Sequence, residues 1–95
     1  MSRRKLSDDE IRESLAGLDG WKVDGGWLKK RFDFRNFAES LGFVNRVGEV
    51  AEEMDHHPDF KFGWGYAEIE LTTHDRNGLT ALDIELAGKI DLIDH

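Results

Sequence analysis

Cysteine is absent from this chain, which excludes disulfides and any thiolate metal site. That composition suits a reducing compartment, and the expected location is the cytoplasm. Long apolar runs are also missing, and nothing approaches the roughly 18 residues that a membrane span needs. Positive charge is scarce: 13 Lys and Arg stand against 20 Asp and Glu, a net charge of −7. Nucleic-acid binders usually carry a basic face, so neither nucleic acid nor an acidic membrane is an expected partner. The basic residues gather in two small clusters, Arg3-Arg4-Lys5 and Lys29-Lys30-Arg31. They are expected to be solvated tail and solvent-facing strand. The first has the charge of a signal-peptide start, but no apolar segment follows, so residues 1–6 are expected to fray. Proline occurs once, at Pro58, and three of the four histidines lie close to it in sequence or one strand away.

Ninety-five residues fit one domain, 1–95. A chain this short buries about 60–65% of the surface its unfolded state exposes. Three Trp, six Phe and one Tyr strengthen the core, since aromatics bury much area per residue.

Ser7 and Glu10 have capping-box spacing, with Leu6 and Ile11 placed as a hydrophobic staple. They predict a helix from Asp8 to about Ala16, stopping at Gly17. Trp21-Lys22-Val23, the turn residues Asp24-Gly25-Gly26 and the alternating run Trp27 to Phe34 predict a hairpin, with Trp21 as a core anchor. Asn36, with Glu39 as its capping partner, opens a second helix reaching about Met54. That helix carries two apolar stripes, Phe37-Leu41-Val44-Gly48-Ala51 and Phe43-Val47-Val50-Met54. A surface helix needs one, so the second points to contact with another subunit and to a homo-oligomer. Phe60, Phe62, Trp64 and Tyr66 share one parity, and Ala67, Ile69, Leu71 and Thr73 the other. The change of face predicts a second hairpin with its turn at Gly65-Tyr66 and its return strand running from Ala67 to His74. Thr80 and Asp83 fit a capping box for a third helix, striped by Leu79, Leu82, Leu86, Ile90 and Ile93 and ending at Asp94-His95. The order α-β-β-α-β-β-α implies an α+β fold: a four-stranded antiparallel sheet with three helices on one face.

Chemistry concentrates between Glu52 and Asp83. Pro58 forces His57 toward extended backbone, so the second helix must end near Asp55 and the two adjacent histidines must point different ways. Glu52, four residues before His56, is placed to reach its ring if the helix continues that far. Imidazoles are well suited to moving protons near neutral pH. His74 closes a strand before a loop, a common place for a working side chain. The plain alternatives are a polar helix stop at His56-His57-Pro58, a surface residue at His74, a solvated acid at Glu52 and a cap partner at Asp83. Trp64 reads equally as core or as a flat wall for a planar ligand. A metal held by His56, His57 and His74 with Asp55 or Glu52 is not expected, since no His-Glu-x-x-His pattern is present and adjacent histidines rarely face one ion. No cysteine, serine motif or glycine-rich phosphate loop supports nucleophilic or nucleotide chemistry.

The spacing of these residues resembles a known signature. Glu52, three residues, His56-His57-Pro58, five residues, Trp64, nine residues, His74, eight residues, Asp83 is similar to the pattern of the pterin-4a-carbinolamine dehydratase family. Gly20-Trp21, Phe43-Val44-Asn45-Arg46-Val47, Leu71-Thr72-Thr73-His74 and Gly78-Leu79-Thr80 extend the resemblance over nearly the whole chain from Leu6. It implies a small α+β dehydratase without metal or cofactor, acting on a 4a-hydroxytetrahydropterin and recycling the pterin of aromatic amino acid hydroxylases. It further implies that His56 and His74 transfer protons while His57 orients substrate. Glu52, Asp55, Phe60, Trp64 and Asp83 would support or line the site. Family members are commonly dimers or tetramers, so a homodimer or homotetramer is expected. Some animal members also serve as a dimerisation cofactor for a homeodomain transcription factor, and some relatives are linked to molybdenum-cofactor pathways. Nothing in this sequence speaks for the transcriptional role. One departure is Leu82, where many members carry a basic residue; it also fits the apolar stripe of its helix and is expected to be core.

Overall fold

Ser7 opens the first helix as its spacing from Glu10 predicts. In the computed structural model of the chain, which describes residues 4–94, the Glu10 N–H donates to the Ser7 hydroxyl and the Ser7 N–H to the Glu10 carboxylate, at 3.2 and 2.9 Å. The helix α1 runs Asp8–Leu15. Residues 1–3, within the expected frayed end, lie outside the described residues, as does residue 95. Leu6 donates its N–H to the Leu79 carbonyl at 2.8 Å.

Strands β1 (Lys22–Asp24) and β2 (Trp27–Asp33) form the first hairpin. Its two-residue turn is Gly25-Gly26, with φ of 60° and 83°. Both positions need the left-handed region that glycine reaches without steric cost. Helix α2 spans Phe37–Met54. Strands β3 (Asp59–Gly63) and β4 (Tyr66–Leu71) make the second hairpin, a 3-10 helix covers His74–Arg76, and α3 runs Ala81–Asp91. The sheet is fully antiparallel in the order β1-β2-β4-β3. Leu28, Phe32, Ala67, Ile69 and Leu71 are buried on its helical side, where Phe43, Val47 and Ala51 of α2 and Leu86, Ala87 and Ile90 of α3 complete the core. Ile11 and Leu15 of α1 pack on the same cluster. The opposite side is charged, and cross-strand neighbours Lys29–Glu70 and Arg31–Glu68 have opposite sign. The expected α+β fold, with its order of elements, is the observed one. Among the described residues no helix is long and apolar enough to cross a membrane.

Several local expectations shift. The second hairpin turns at Trp64-Gly65, not Gly65-Tyr66: Gly63 and Tyr66 are the closing pair, and Gly65 takes the positive φ of 82° as the second turn residue. Glu39 does not close a capping box. Asn36 accepts from the Glu39 N–H at 2.9 Å, but the Glu39 carboxylate turns to Arg35, taking its backbone N–H and its guanidinium. An ion pair is the stronger attraction for that carboxylate. The buried face of α2 is Ser40, Phe43, Val47 and Ala51, drawn from both apolar stripes, and Phe37 and Leu41 stay exposed. Lys30 does not face solvent. It lies on the helical side with Nζ 2.9 Å from Asp91, and Trp21, buried as expected, donates its indole N–H to the same carboxylate at 3.0 Å. Helix α3 stops at Asp91, short of Asp94-His95, and Leu82 is half-buried outside the core cluster.

Candidate active site

One end of the sheet gathers the chemistry. The C-terminus of α2, the start of β3, the end of β4, the β1–β2 turn and the start of α3 all meet there. Asp55 makes the first decisive turn. It sits in the left-handed region at φ 51°, and the Asp55 and His56 N–H groups bond back to the Glu52 and Ala51 carbonyls, both at 3.1 Å. This is a Schellman closure, with aspartate in the place glycine usually holds. It takes His56 off the helical path and sends it inward, while Pro58 keeps the next residue extended. His56 is therefore buried and His57 exposed.

His56 Nε2 lies 2.6 Å from Asp83 Oδ1. Asp83 is fully buried, and its other oxygen accepts from the Thr73 hydroxyl at 2.8 Å and the Thr80 N–H at 2.9 Å. The Thr80 hydroxyl lies 2.9 Å from that of Thr73 and completes the cluster. An ionised carboxylate can only accept, so a hydrogen bond to an ionised Asp83 requires the proton on His56 Nε2 and leaves Nδ1 free of that carboxylate. Asp83 thus caps α3, as expected, and also braces a histidine, which the cap pattern alone does not reveal. Glu52 pairs with His57 Nε2 rather than with His56. The expected four-residue reach fails because the left-handed Asp55 removes His56 from the helix face that Glu52 shares.

His74 does not close a strand. β4 ends at Leu71, Thr73 bridges to Gly78, and His74 opens the 3-10 helix, held out by that short loop. A cleft of about 280 Å³ is lined by Asp55, His56, His57, Thr72, Thr73, His74 and Asp75. All three predicted histidines and Asp55 border it, with Asp83 behind His56 and Glu52 behind His57. Phe60 does not line it; it faces the helical side opposite Ile69 and packs on the core. Trp64 is 71% exposed at the far end of β3, about 16 Å along the strand by the usual rise per residue. Among the described residues no three His, Asp or Glu side chains converge to hold a metal ion. Sequence reasoning passed over Trp27, whose ring stands perpendicular to that of His74 with centroids 5.5 Å apart. No local pattern marks it, because the contact depends on the β1–β2 turn reaching past the end of β4.

The family model described as pterin 4 alpha carbinolamine dehydratase matches residues 4–93. The chain belongs to that family. A provisionally named pterin-4-alpha-carbinolamine dehydratase of Rubrobacter xylanophilus is 52% identical over 87 residues, covering 90% of this chain and 81% of its own length. Another from Mesorhizobium japonicum is 47% identical over 93 residues, covering 96% and 95%. Among solved structures, the transcriptional coactivator/pterin dehydratase of Brucella melitensis superposes with a TM-score of 0.88 at 37% identity, over 93% of this chain and 96% of that one. A pterin dehydratase-like protein identified as a RuBisCO assembly factor in the alpha-carboxysome has a TM-score of 0.62 at 26% identity, over 75% and 82%. Proteins of similar structure are thus named for roles other than dehydration, in transcriptional coactivation and in RuBisCO assembly.

Proposed function

We propose that this member of the dehydratase family removes water from a 4a-hydroxytetrahydropterin and so returns a quinonoid dihydropterin. The observation that carries the reading is two imidazoles, His56 and His74, bordering one cleft, the first braced by a buried carboxylate. The reaction breaks the C4a–O bond and the N5–H bond and forms a C4a–N5 double bond. An acid must protonate the departing hydroxyl and a base must take the N5 proton. His56 and His74 are the proton-transfer pair, and His57, held by Glu52, orients the ring from the exposed side. Asp83 fixes the tautomer of His56, as a carboxylate does for a histidine base. Asp55 shapes the cleft wall. Phe60 supports β3 from the core side, and Trp64 belongs to the surface described next. No step calls for a metal, so turnover should persist after exhaustive chelation; activity that disappears with chelation and returns with a divalent ion would contradict the reading.

A second reading is an interaction module. It is favoured by an apolar patch where α2 meets β3: Phe37 and Leu41 are exposed, the Phe37 ring stacks on Phe62 at 6.0 Å, and exposed Trp64 follows at the turn. A further copy of this chain fits that patch, giving the homodimer or homotetramer expected from the double stripe of α2. The cytoplasm is the proposed site of action. A specific heterologous partner recovered by pull-down, together with no turnover, would favour the module over the enzyme.

A further inference from the structure

The three histidines of the cleft are held in different ways. His56 rests on Asp83 and His57 on Glu52, each giving one ring nitrogen to a carboxylate. The His74 ring has no hydrogen-bond partner among the described residues; its neighbour is the perpendicular indole of Trp27. Trp27 is half-buried at the first position of β2. The preceding turn is tied down by the Thr72 hydroxyl, which donates to the Gly26 carbonyl at 2.7 Å. A second hollow, about 180 Å³ and lined by Gly25, Gly26, Trp27, Thr72, His74 and Asn77, continues the cleft, sharing Thr72 and His74 with it.

We propose that Trp27 is a positioning residue that holds the His74 imidazole in register with the cleft. The proposal rests on the dehydratase reading of the same site. An exposed histidine on a short loop otherwise samples several rotamers, and a perpendicular aromatic contact selects one. An indole fixes the ring by its face and edge and takes no lone pair or proton from it. Both His74 nitrogens therefore stay open in a residue that borders the cleft and the adjoining hollow, which suits a group that must regain or lose a proton each cycle.

The test uses the full chain with Trp27→Leu and Trp27→Phe, NMR of the His74 ring protons, and turnover of a 4a-hydroxytetrahydropterin. In the wild type those protons should carry an indole ring-current shift, lost in the Leu variant and partly kept in the Phe variant. Trp27→Leu should lower kcat about tenfold, the order expected for a misplaced catalytic group, with KM changed less than about twofold. Trp27→Phe should recover most of kcat. A wild type that turns over, but has no ring-current shift or shows no kcat loss in a folded Leu variant, overturns the proposal alone, as does a loss carried by KM. A wild type with no turnover sinks the dehydratase reading itself and leaves Trp27 no step to serve.

Discussion

Asp83 is the residue on which most of the site depends. Its carboxylate meets His56, Thr73 and the Thr80 N–H in a fully buried position. Truncation leaves His56 Nε2 and the Thr80 N–H without that partner and Thr73 with only the Thr80 hydroxyl, around a fully buried position. Asp83→Ala should therefore cost about 3 kcal/mol or more in a urea titration, and kcat should fall because the His56 tautomer is no longer set. Near-wild-type stability and rate in that variant would show that the carboxylate is incidental. Much of this was legible beforehand. The spacing of Glu52, His56, His57, His74 and Asp83 singled out residues that the fold brings to one end of the sheet, and the Thr80–Asp83 cap was found as expected. The pairing was not legible. Which carboxylate meets which histidine depends on the backbone sign at Asp55, and a left-handed aspartate leaves no pattern in sequence.

Local signals located the elements well wherever a side chain caps a helix or a glycine must turn. Ser7, Asn36 and Thr80 open the three helices, and Gly25-Gly26 turns the first hairpin. Expectations slipped by a residue or two where ends are decided by pairing, as at Trp64-Gly65, or by a competing ion pair, as at Glu39. Asn36→Ala should destabilise the chain by about 1 kcal/mol through loss of the α2 cap, read as a lower urea midpoint; an unchanged midpoint would mean that Arg35 and Glu39 hold the helix start unaided. At α1, the Arg4 guanidinium and then the Ser7 N–H hold the Glu10 carboxyl down, from the usual 4.5 to about 2. A depressed carboxylate stabilises the fold above its unfolded value and ceases to do so as pH falls through its folded one. Glu10→Gln should thus be less stable than wild type at neutral pH. The gap should close between about pH 4.5 and 2, and added salt should narrow it because the pair is exposed. A gap that does not change with pH would contradict this.

At the scale of the molecule, the sheet acts as a frame with the proposed working end at the α2 exit and an apolar patch at the other end of β3. The periodicity of α2 signalled surplus apolar surface, but the division between core and surface mixed the two stripes, since Ser40, Phe43, Val47 and Ala51 share the face that the sheet covers. Replacing Phe37 and Leu41 with Glu should shift the mass measured by light scattering toward the monomer while leaving the cleft intact. A wild type already monomeric at micromolar concentration would remove the oligomer from the account. The central claim is proton transfer by a histidine pair at the working end. Stopped-flow dehydration of a 4a-hydroxytetrahydropterin, comparing wild type with His56→Ala, His74→Ala and the double variant, tests it most directly. Each single variant should lose on the order of 10²-fold or more, and the double variant should approach the uncatalysed rate. Full activity in the double variant would contradict the account.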